Sequence, residues 1–305
     1  MDLKQLDAVV AIADHGSFSA AARALHTVQS NVSAHIARLE AELGVEVVDR
    51  RTGDLTEEGD AVVARARRIQ REMEAVTSDV AALHDEVVGS VRFGVIGTIG
   101  RWLVPRMLES LASEHPRISV VVVDATTTSL LPQLVRGSLD VAVVNLPVVD
   151  PMVSTSPLFD ETRIVVAPND HPLAEYESIE LRDLAEHDLV LEPSGTAFRD
   201  ELDRAASAAG TTLRTMAEVD GMRLVASLAF EGFGPAILPT TAAPPWLQGD
   251  WKRIPLHGVS ARSVGVAQRR HERVIAPTRA LIQVLLEALR ETAGTQAGVT
   301  LRFDD

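Results

Sequence analysis

The chain has 305 residues, 46% of them hydrophobic and 24% charged, which suits two or three compact units with ordinary cores. Its 43 Asp and Glu outnumber 29 Lys and Arg, giving a formal net charge of −14, so a nucleic-acid role cannot rest on bulk electrostatics. It contains no cysteine, which excludes disulfides, thiolate zinc sites and thiol-based redox sensing by this chain.

Leu3, Leu6, Val9, Val10 and Ala13 give a first helix its apolar face, and Gly16 after Asp14-His15 supplies a stop. Ser17 or Ser19 can cap a second, short helix that turns Phe18, Ala21, Ala22 and Leu25 inward. A third helix is predicted from about Gln29 to Leu43, with Val32, Ile36, Leu39 and Leu43 on one side and Gly44 at its end. Its other side shows Gln29, Ser30, Asn31, Ser33, Ala34, His35 and Arg38. Two helices joined by a four-residue turn, the second with a polar N-terminal face, form what a helix-turn-helix DNA reader needs. Gln and Asn can pair with adenine and Ser can meet a base edge, so Gln29, Ser30, Asn31 and Ser33 are the candidate base readers. Thr27 and His35 would position the backbone. Val45–Val48 and Arg50–Thr56 predict a short hairpin, a wing whose Arg50 and Arg51 can reach phosphates. The same pattern fits a three-helix bundle used for protein contacts, and spacing alone leaves both readings open.

From Thr56 to Val87 the apolar positions are Val62, Ala66, Ile69, Met73, Val76, Val80, Leu83 and Val87, spaced four and three in strict alternation. That is the seam of a two-stranded coiled coil. Arg65, Arg67, Arg68, Arg71, Glu72, Glu74, Asp79, Asp85 and Glu86 make a charged exterior, and no Pro or Gly interrupts the ladder after Gly59. At 1.5 Å per residue the helix would be about 45 Å long. It could lie on its own domain's core, but a stripe this narrow and long favours a rod over residues 59–88 that pairs two copies as a homodimer.

Beyond Gly89 short apolar strands alternate with helices, the signature of α/β units and a mostly parallel sheet. Strands are predicted at 91–96, 119–124 and 140–144, with helices at 102–114 and 129–136. A second set has strands at 163–167, 188–191, 217–219 and 236–238, and helices at 181–186, 198–209 and 222–231. A last strand at 263–267 and a last helix at 277–290 precede a tail expected to fray after Ala293.

The run Phe18-Ser19-Ala20-Ala21-Ala22-Arg23-Ala24-Leu25-His26-Thr27-Val28-Gln29-Ser30-Asn31-Val32-Ser33, with Leu43-Gly44 and Leu55-Thr56-Glu57-Glu58-Gly59, closely resembles the winged helix-turn-helix of LysR-type transcriptional regulators. The segment between Gly44 and Leu55 departs from that pattern, being shorter, with hydrophobics plus an acid where the family has Leu-Phe-x-Arg. Gly137-Ser138-Leu139-Asp140-Val141-Ala142, Asp170-His171-Pro172-Leu173-Ala174 and Gly232-Phe233-Gly234-Pro235-Ala236-Ile237-Leu238-Pro239 resemble the same family's effector domain. The resemblance implies a winged helix-turn-helix at 1–58, a linker helix at 59–88 and an α/β effector domain of two Rossmann-like subdomains at 89–305. Subdomain I would take about 90–162 and 269–293, and subdomain II about 163–268. It also implies a cytoplasmic regulator of transcription that binds double-stranded DNA and a small-molecule effector, forms homodimers and homotetramers, and has RNA polymerase as a candidate partner.

In such a fold a ligand sits between the lobes, at strand ends and helix N-termini. The corners here are Gly97-Thr98-Ile99-Gly100-Arg101, Thr126-Thr127-Thr128-Ser129, Asn145-Leu146-Pro147, Ser194-Gly195-Thr196-Ala197-Phe198 and Gly221-Met222. Thr98, Ile99, Gly100, Arg101, Thr127, Thr128, Asn145, Phe198 and Met222 are therefore the candidate effector contacts, suited to an organic anion. Turn and capping chemistry would account for each of them equally. Gly94-x-x-Gly97-x-x-Gly100 lacks the opening of a dinucleotide fingerprint, and no nucleophile elbow, phosphate loop or metal constellation appears, so neither enzymatic activity nor a cofactor is expected. The scattered histidines support no metal site. No run is long enough to span a membrane and no signal-peptide pattern opens the chain, so no membrane partner is expected. A stand-alone solute-binding protein would explain the C-terminal part but neither the winged module nor the rod.

Overall fold

A computed structural model describes residues 1–82 and 86–303, the side chains of Asp79 and Ala82 excepted. α1 (Leu3–His15) opens with a capping box: Asp2 accepts from the Gln5 amide at 3.0 Å, and Gln5 accepts from the Asp2 amide at 2.7 Å. Ser17 caps α2 (Phe18–Ala24), and α3 spans Gln29–Leu43 as expected, closed by Gly44 in the left-handed region. Leu6, Val9, Ile12, Ala21, Val32, Ile36 and Leu39 form the core of this module. The predicted hairpin reduces to one antiparallel bridge, Val48 with Leu55. Two backbone bonds flank it, Asp49 amide to Asp54 carbonyl at 2.9 Å and Thr56 amide to Val47 carbonyl at 3.1 Å, and Glu40 accepts from the Val47 and Val48 amides at 3.0 and 3.4 Å.

α4 (Glu57–Ala82) starts under a cap from Thr56, whose hydroxyl accepts from the Gly59 amide at 3.0 Å. A Cβ at position 59 would overlap the Val47 carbonyl oxygen, so only glycine lets the helix approach the wing this closely. The helix is shorter than predicted: residues 86–88 are not helical and Leu83 and Asp85 lie outside the described residues. Its stripe divides into a buried and an exposed stretch. Val63 and Ala66 are buried in the winged module's core, whereas Ile69, Met73, Val76 and Val80 are exposed.

The rest of the chain builds two lobes. In order come β1 (Gly89–Val95), α5 (Gly97–Glu114), β2 (Ile118–Asp124), α6 (Thr127–Arg136), β3 (Val141–Asn145), β4 (Val153–Glu161), β5 (Arg163–Pro168), β6 (Ile179–Glu180), β7 (Asp188–Leu191) and α7 (Ala197–Ala208). β8 (Arg214–Glu218), α8 (Met222–Phe230), β9 (Ala236–Pro239), β10 (Trp251–His257), β11 (Arg262–Arg269), α9 (Ala276–Ala293) and β12 (Val299–Leu301) follow. Residues 181–186, predicted as a helix, form a short 3-10 segment. Lobe I is a sheet in the order β12-β4-β11-β3-β1-β2, and lobe II one in the order β6-β10-β5-β9-β7-β8. Lobe I packs around Phe93, Leu103, Leu285 and an edge-on Trp102–Phe159 pair with centroids 5.6 Å apart.

Three expectations are corrected. The sheets are mixed, because the strands that carry the chain between lobes run antiparallel to neighbours: β11 against β3 and β4, β5 against β9 and β10. β11 belongs to lobe I, so the return crossing falls between His257 and Arg262 and not near residue 269. The tail does not fray at Ala293: Thr162 donates its amide to the Gly298 carbonyl at 2.8 Å, and β12 then pairs with β4. Among the described residues no helix is long and apolar enough to cross a membrane.

Candidate DNA interface and effector cleft

The N-terminus of α3 is open. Its cap position is Val28, which offers the first turn no side-chain acceptor; the Asn31 amide donates to the Val28 carbonyl at 3.0 Å, and no side chain caps the turn ahead of it. Gln29, Ser30 and Asn31 are exposed there, and Ser33 and His35 half-buried. Two bonds hold these side chains ready: Ser19 donates to Gln29 Oε1 and Asn31 Nδ2 donates to Thr27 Oγ1, each at 2.9 Å. His35 Nδ1 is buried without a partner, so that nitrogen is not the one to meet DNA. Arg38 is exposed one turn on. Arg50 and Arg51 stand on the wing but are already paired, Arg50 with Glu40 at 2.9 Å and Arg51 with Asp49 at 3.1 Å. Any phosphate contact from them replaces a pair within the chain. Val28, exposed at the tip of the turn, is a surface the sequence reading passed over; its apolar side chain could meet a thymine methyl.

Between the lobes, Thr98 is buried on the first turn of α5 and accepts from Arg262 Nη2 at 3.2 Å. Arg262 also donates through Nε to Glu161 Oε1 at 2.8 Å, and Glu161 Oε2 accepts from the Thr241 amide and hydroxyl at 3.1 and 2.7 Å. The fully buried Arg163 binds Glu201 through Nη2 at 2.9 Å and lies 5.1 Å from the Phe198 ring, while its Nε and Nη1 have no partner. Burial, then the charge of Arg262, lowers its pKa. Across the cleft burial raises the pKa of Glu192, and Asp220 adds to the shift, against hydrogen bonds from Thr196 and the Met222 amide. Arg223 of α8 pairs with Asp124 at the end of β2, over Gly97, so the lobes touch through charge as well as packing.

The predicted contacts sort accordingly. Thr98 is bonded to Arg262, and Arg101 brings its guanidinium 5.8 Å from the Phe230 ring on the opposite lobe. Phe198 packs on the lobe II core under Arg163, and Met222, its side chain on that lobe's other core cluster, gives its amide to Glu192. Ile99 has its side chain in the lobe I core and offers a ligand only its amide. Gly100 is corrected: its amide already donates to the Ile96 carbonyl at 2.9 Å. Thr127 accepts from the Asn145 amide at 3.0 Å, Asn145 Oδ1 is buried without a partner, and Thr128 is exposed with its hydroxyl 2.9 Å from that of Thr126. Sequence reasoning missed Arg262, Glu161 and Arg163, since each finds its partner tens of residues away, and Glu192, whose acidic neighbour Asp220 is brought to it only by the fold.

A helix-turn-helix on a long helix, joined to two lobes that close over a polar cleft, defines a regulator that reads DNA and senses a small molecule. The profile of the LysR substrate binding domain matches residues 84–290, and that of the bacterial regulatory helix-turn-helix protein, lysR family, matches residues 3–60. The chain belongs to the LysR family and is a DNA-binding transcriptional regulator with an effector-binding domain. It is 35% identical over 245 residues to a probable hydrogen peroxide-inducible genes activator of Streptomyces viridosporus, covering 79% of this chain and 78% of that protein. With the DNA-binding transcriptional dual regulator OxyR of Escherichia coli K12 it shares 29% over 294 residues, 95% of each chain. A cysteine-to-aspartate variant of full-length OxyR from Pseudomonas aeruginosa superposes with a TM-score of 0.77 at 27% identity, covering 100% of this chain and 99% of that one.

Proposed function

We propose that this chain acts in the cytoplasm as a homodimer whose two α3 helices enter successive major grooves, with Gln29, Ser30, Asn31 and Ser33 at base edges. Thr27, His35, Arg38, Arg50 and Arg51 hold the phosphates. The observation that carries this reading is the polar N-terminus of α3, exposed beside the module's closed apolar core. The exposed stripe Ile69, Met73, Val76 and Val80 supports pairing through α4, beside a groove of about 460 Å³ lined by Leu3, Leu25 and Met73. The exposed edge strand β2 with Val121 supports a second contact, between effector domains, that makes tetramers.

The effector sits between the lobes, held by Thr98, Arg262 and the unpartnered donors of Arg163, which call for an accepting or anionic group. Asp124 and Glu192 already stand beside the N-termini of α5 and α8, so the anion is a small one. The Streptomyces viridosporus relative is named for hydrogen peroxide-inducible genes; this chain has no cysteine, and its switch works by binding and not through a thiol.

The test is a pair of variants on duplex DNA selected by the wild-type protein. Gln29→Ala should lower the ratio of specific to nonspecific affinity by about tenfold, as the loss of one base contact of about 1–3 kcal/mol requires. Arg50→Ala should weaken both duplexes alike and reduce the salt slope by about one. An unchanged ratio in Gln29→Ala would sink the recognition-helix assignment.

A further inference from the structure

The charged exterior predicted for the linker helix is not all solvated. Arg71 is 7% exposed. Its Nη1 donates to the Gly137 carbonyl at 2.8 Å, and its Nε and Nη2 donate to Glu272 Oε1 at 3.1 and 2.9 Å. Gly137 ends α6 with φ of 76°, and a Cβ there would collide with the guanidinium. Glu272, in the turn between β11 and α9, also receives Nε of Arg269, the last residue of β11. Arg269 in turn donates through Nη1 to the carbonyls of Leu134, at 2.8 Å, and Leu139, in and just after α6. One turn earlier on α4, Arg67 bridges Ser138 of lobe I and Asp14 of α1, and Gln70 donates to Asp7 of α1 at 2.7 Å. Burial alone would raise the pKa of Glu272, but the bonds and charges of Arg269 and Arg71 hold it below the usual carboxylate range.

A buried guanidinium is costly to leave unpaired, and its planar fork accepts few arrangements of acceptors. This cluster therefore restricts how α4 can sit on lobe I. We propose that Arg71, Glu272 and Arg269 form the joint that sets the angle between linker helix and effector domain, and that β11 ties this joint to the cleft. The tie is the strand itself. Arg262, its first residue, bonds Thr98 and Glu161 in the cleft, and Arg269, its last, bonds Glu272 at the rod. Seven steps of about 3.3 Å place the two ends about 23 Å apart. β11 is hydrogen-bonded to β4 along its length, with one break in register at Val264–Gly265, and to β3 over Val264–Ala267, so both neighbours hold it between its ends. A ligand that takes Arg262 away from Thr98 shifts the strand, and the shift arrives at Glu272 and so at Arg71.

Because the chain has no cysteine, introduced ones are its only labelling sites. Glu74→Cys and Gln283→Cys place spin labels on exposed positions of α4 and α9. The labelled full-length chain, mixed with excess unlabelled chain, reports distances within one protomer by double electron–electron resonance. The expected distribution is single and narrow. Arg71→Ala should shift or broaden it by several ångströms while sedimentation stays as in the parent; Arg71→Lys, which keeps the charge without the fork, should do so to a lesser degree. Arg262→Gln, at the far end of β11, should move the same distribution. An unaltered distribution in Arg71→Ala overturns the joint, and an unaltered one in Arg262→Gln overturns the tie. If Arg71→Ala does not fold, Arg71→Lys with Glu272→Gln carries the first arm, and no shift in either overturns it.

Discussion

Glu192 sits in an environment that opposes its charge. It sits beside Asp220 with its carboxyl half-buried between Thr196 and the first turn of α8, and its folded pKa is raised. The sign follows from linkage: a carboxyl that holds its proton more tightly when folded favours the native state at low pH. That stability is lost as pH rises from the ordinary carboxylate value through the raised one. Glu192→Gln, which cannot ionise, should remove this fall, so melting temperatures taken across that window should be flatter than the parent's. A parent profile already flat there would show that Glu192 is not perturbed. Thr98 was legible in the sequence because a hydroxyl stood where a strand turns into a helix. Arg262 and Glu161 were not, since a pair separated by 101 positions leaves no local pattern. Base-reading candidates were legible for the opposite reason: Gln29, Ser30, Asn31 and Ser33 are close in sequence and crowd the first turns of one helix, so its predicted start places them.

At the scale of elements, long periodic segments were read well and short irregular ones poorly. α3 matched its predicted ends because an apolar stripe and Gly44 fix both. β4, Val-Ser-Thr-Ser-Pro-Leu-Phe-Asp-Glu, went unread because four successive exposed positions break the alternation of a strand, although both its edges are paired. β11 was assigned to the wrong lobe since nothing local tells a strand which sheet it will join. The rod carries the sharpest test at this scale. Ile69 is 38% exposed in the single chain and faces the seam. Ile69→Asp would bring two carboxylates together in a paired rod, costing several kcal/mol of dimer stability, and sedimentation should show dissociation or a different assembly. An unchanged assembly would mean that the stripe pairs with something other than its own copy.

Across the whole molecule, the winged module, the rod and the two lobes are held in one arrangement by arginines whose partners lie in other units: Arg67 to α1 and lobe I, Arg71 to lobe I, Arg223 from lobe II to lobe I. An acidic protein binds DNA in this arrangement only through a small face, so the fall of affinity with salt should be shallow, set by the few phosphate contacts of that face and offset by screening of the repulsion between the acidic bulk and the duplex. The absence of cysteine sets a second whole-molecule expectation. After exposure to hydrogen peroxide and its removal, DNA affinity should match that of untreated protein; a lasting change would place oxidation chemistry on a residue other than a thiol.

Two copies, joined through α4, are proposed to present two α3 helices to DNA at once, and everything said of the rod and the winged module depends on it. Selection of bound duplexes from a random-sequence pool by the full-length protein reads this out. Two related half-sites in inverted orientation are expected, with centres one helical turn of about 10.5 base pairs or a multiple of it apart, and no such pairing for Ile69→Asp. Enrichment of a lone half-site by the wild-type chain, or a spacing indifferent to helical phase, would contradict it.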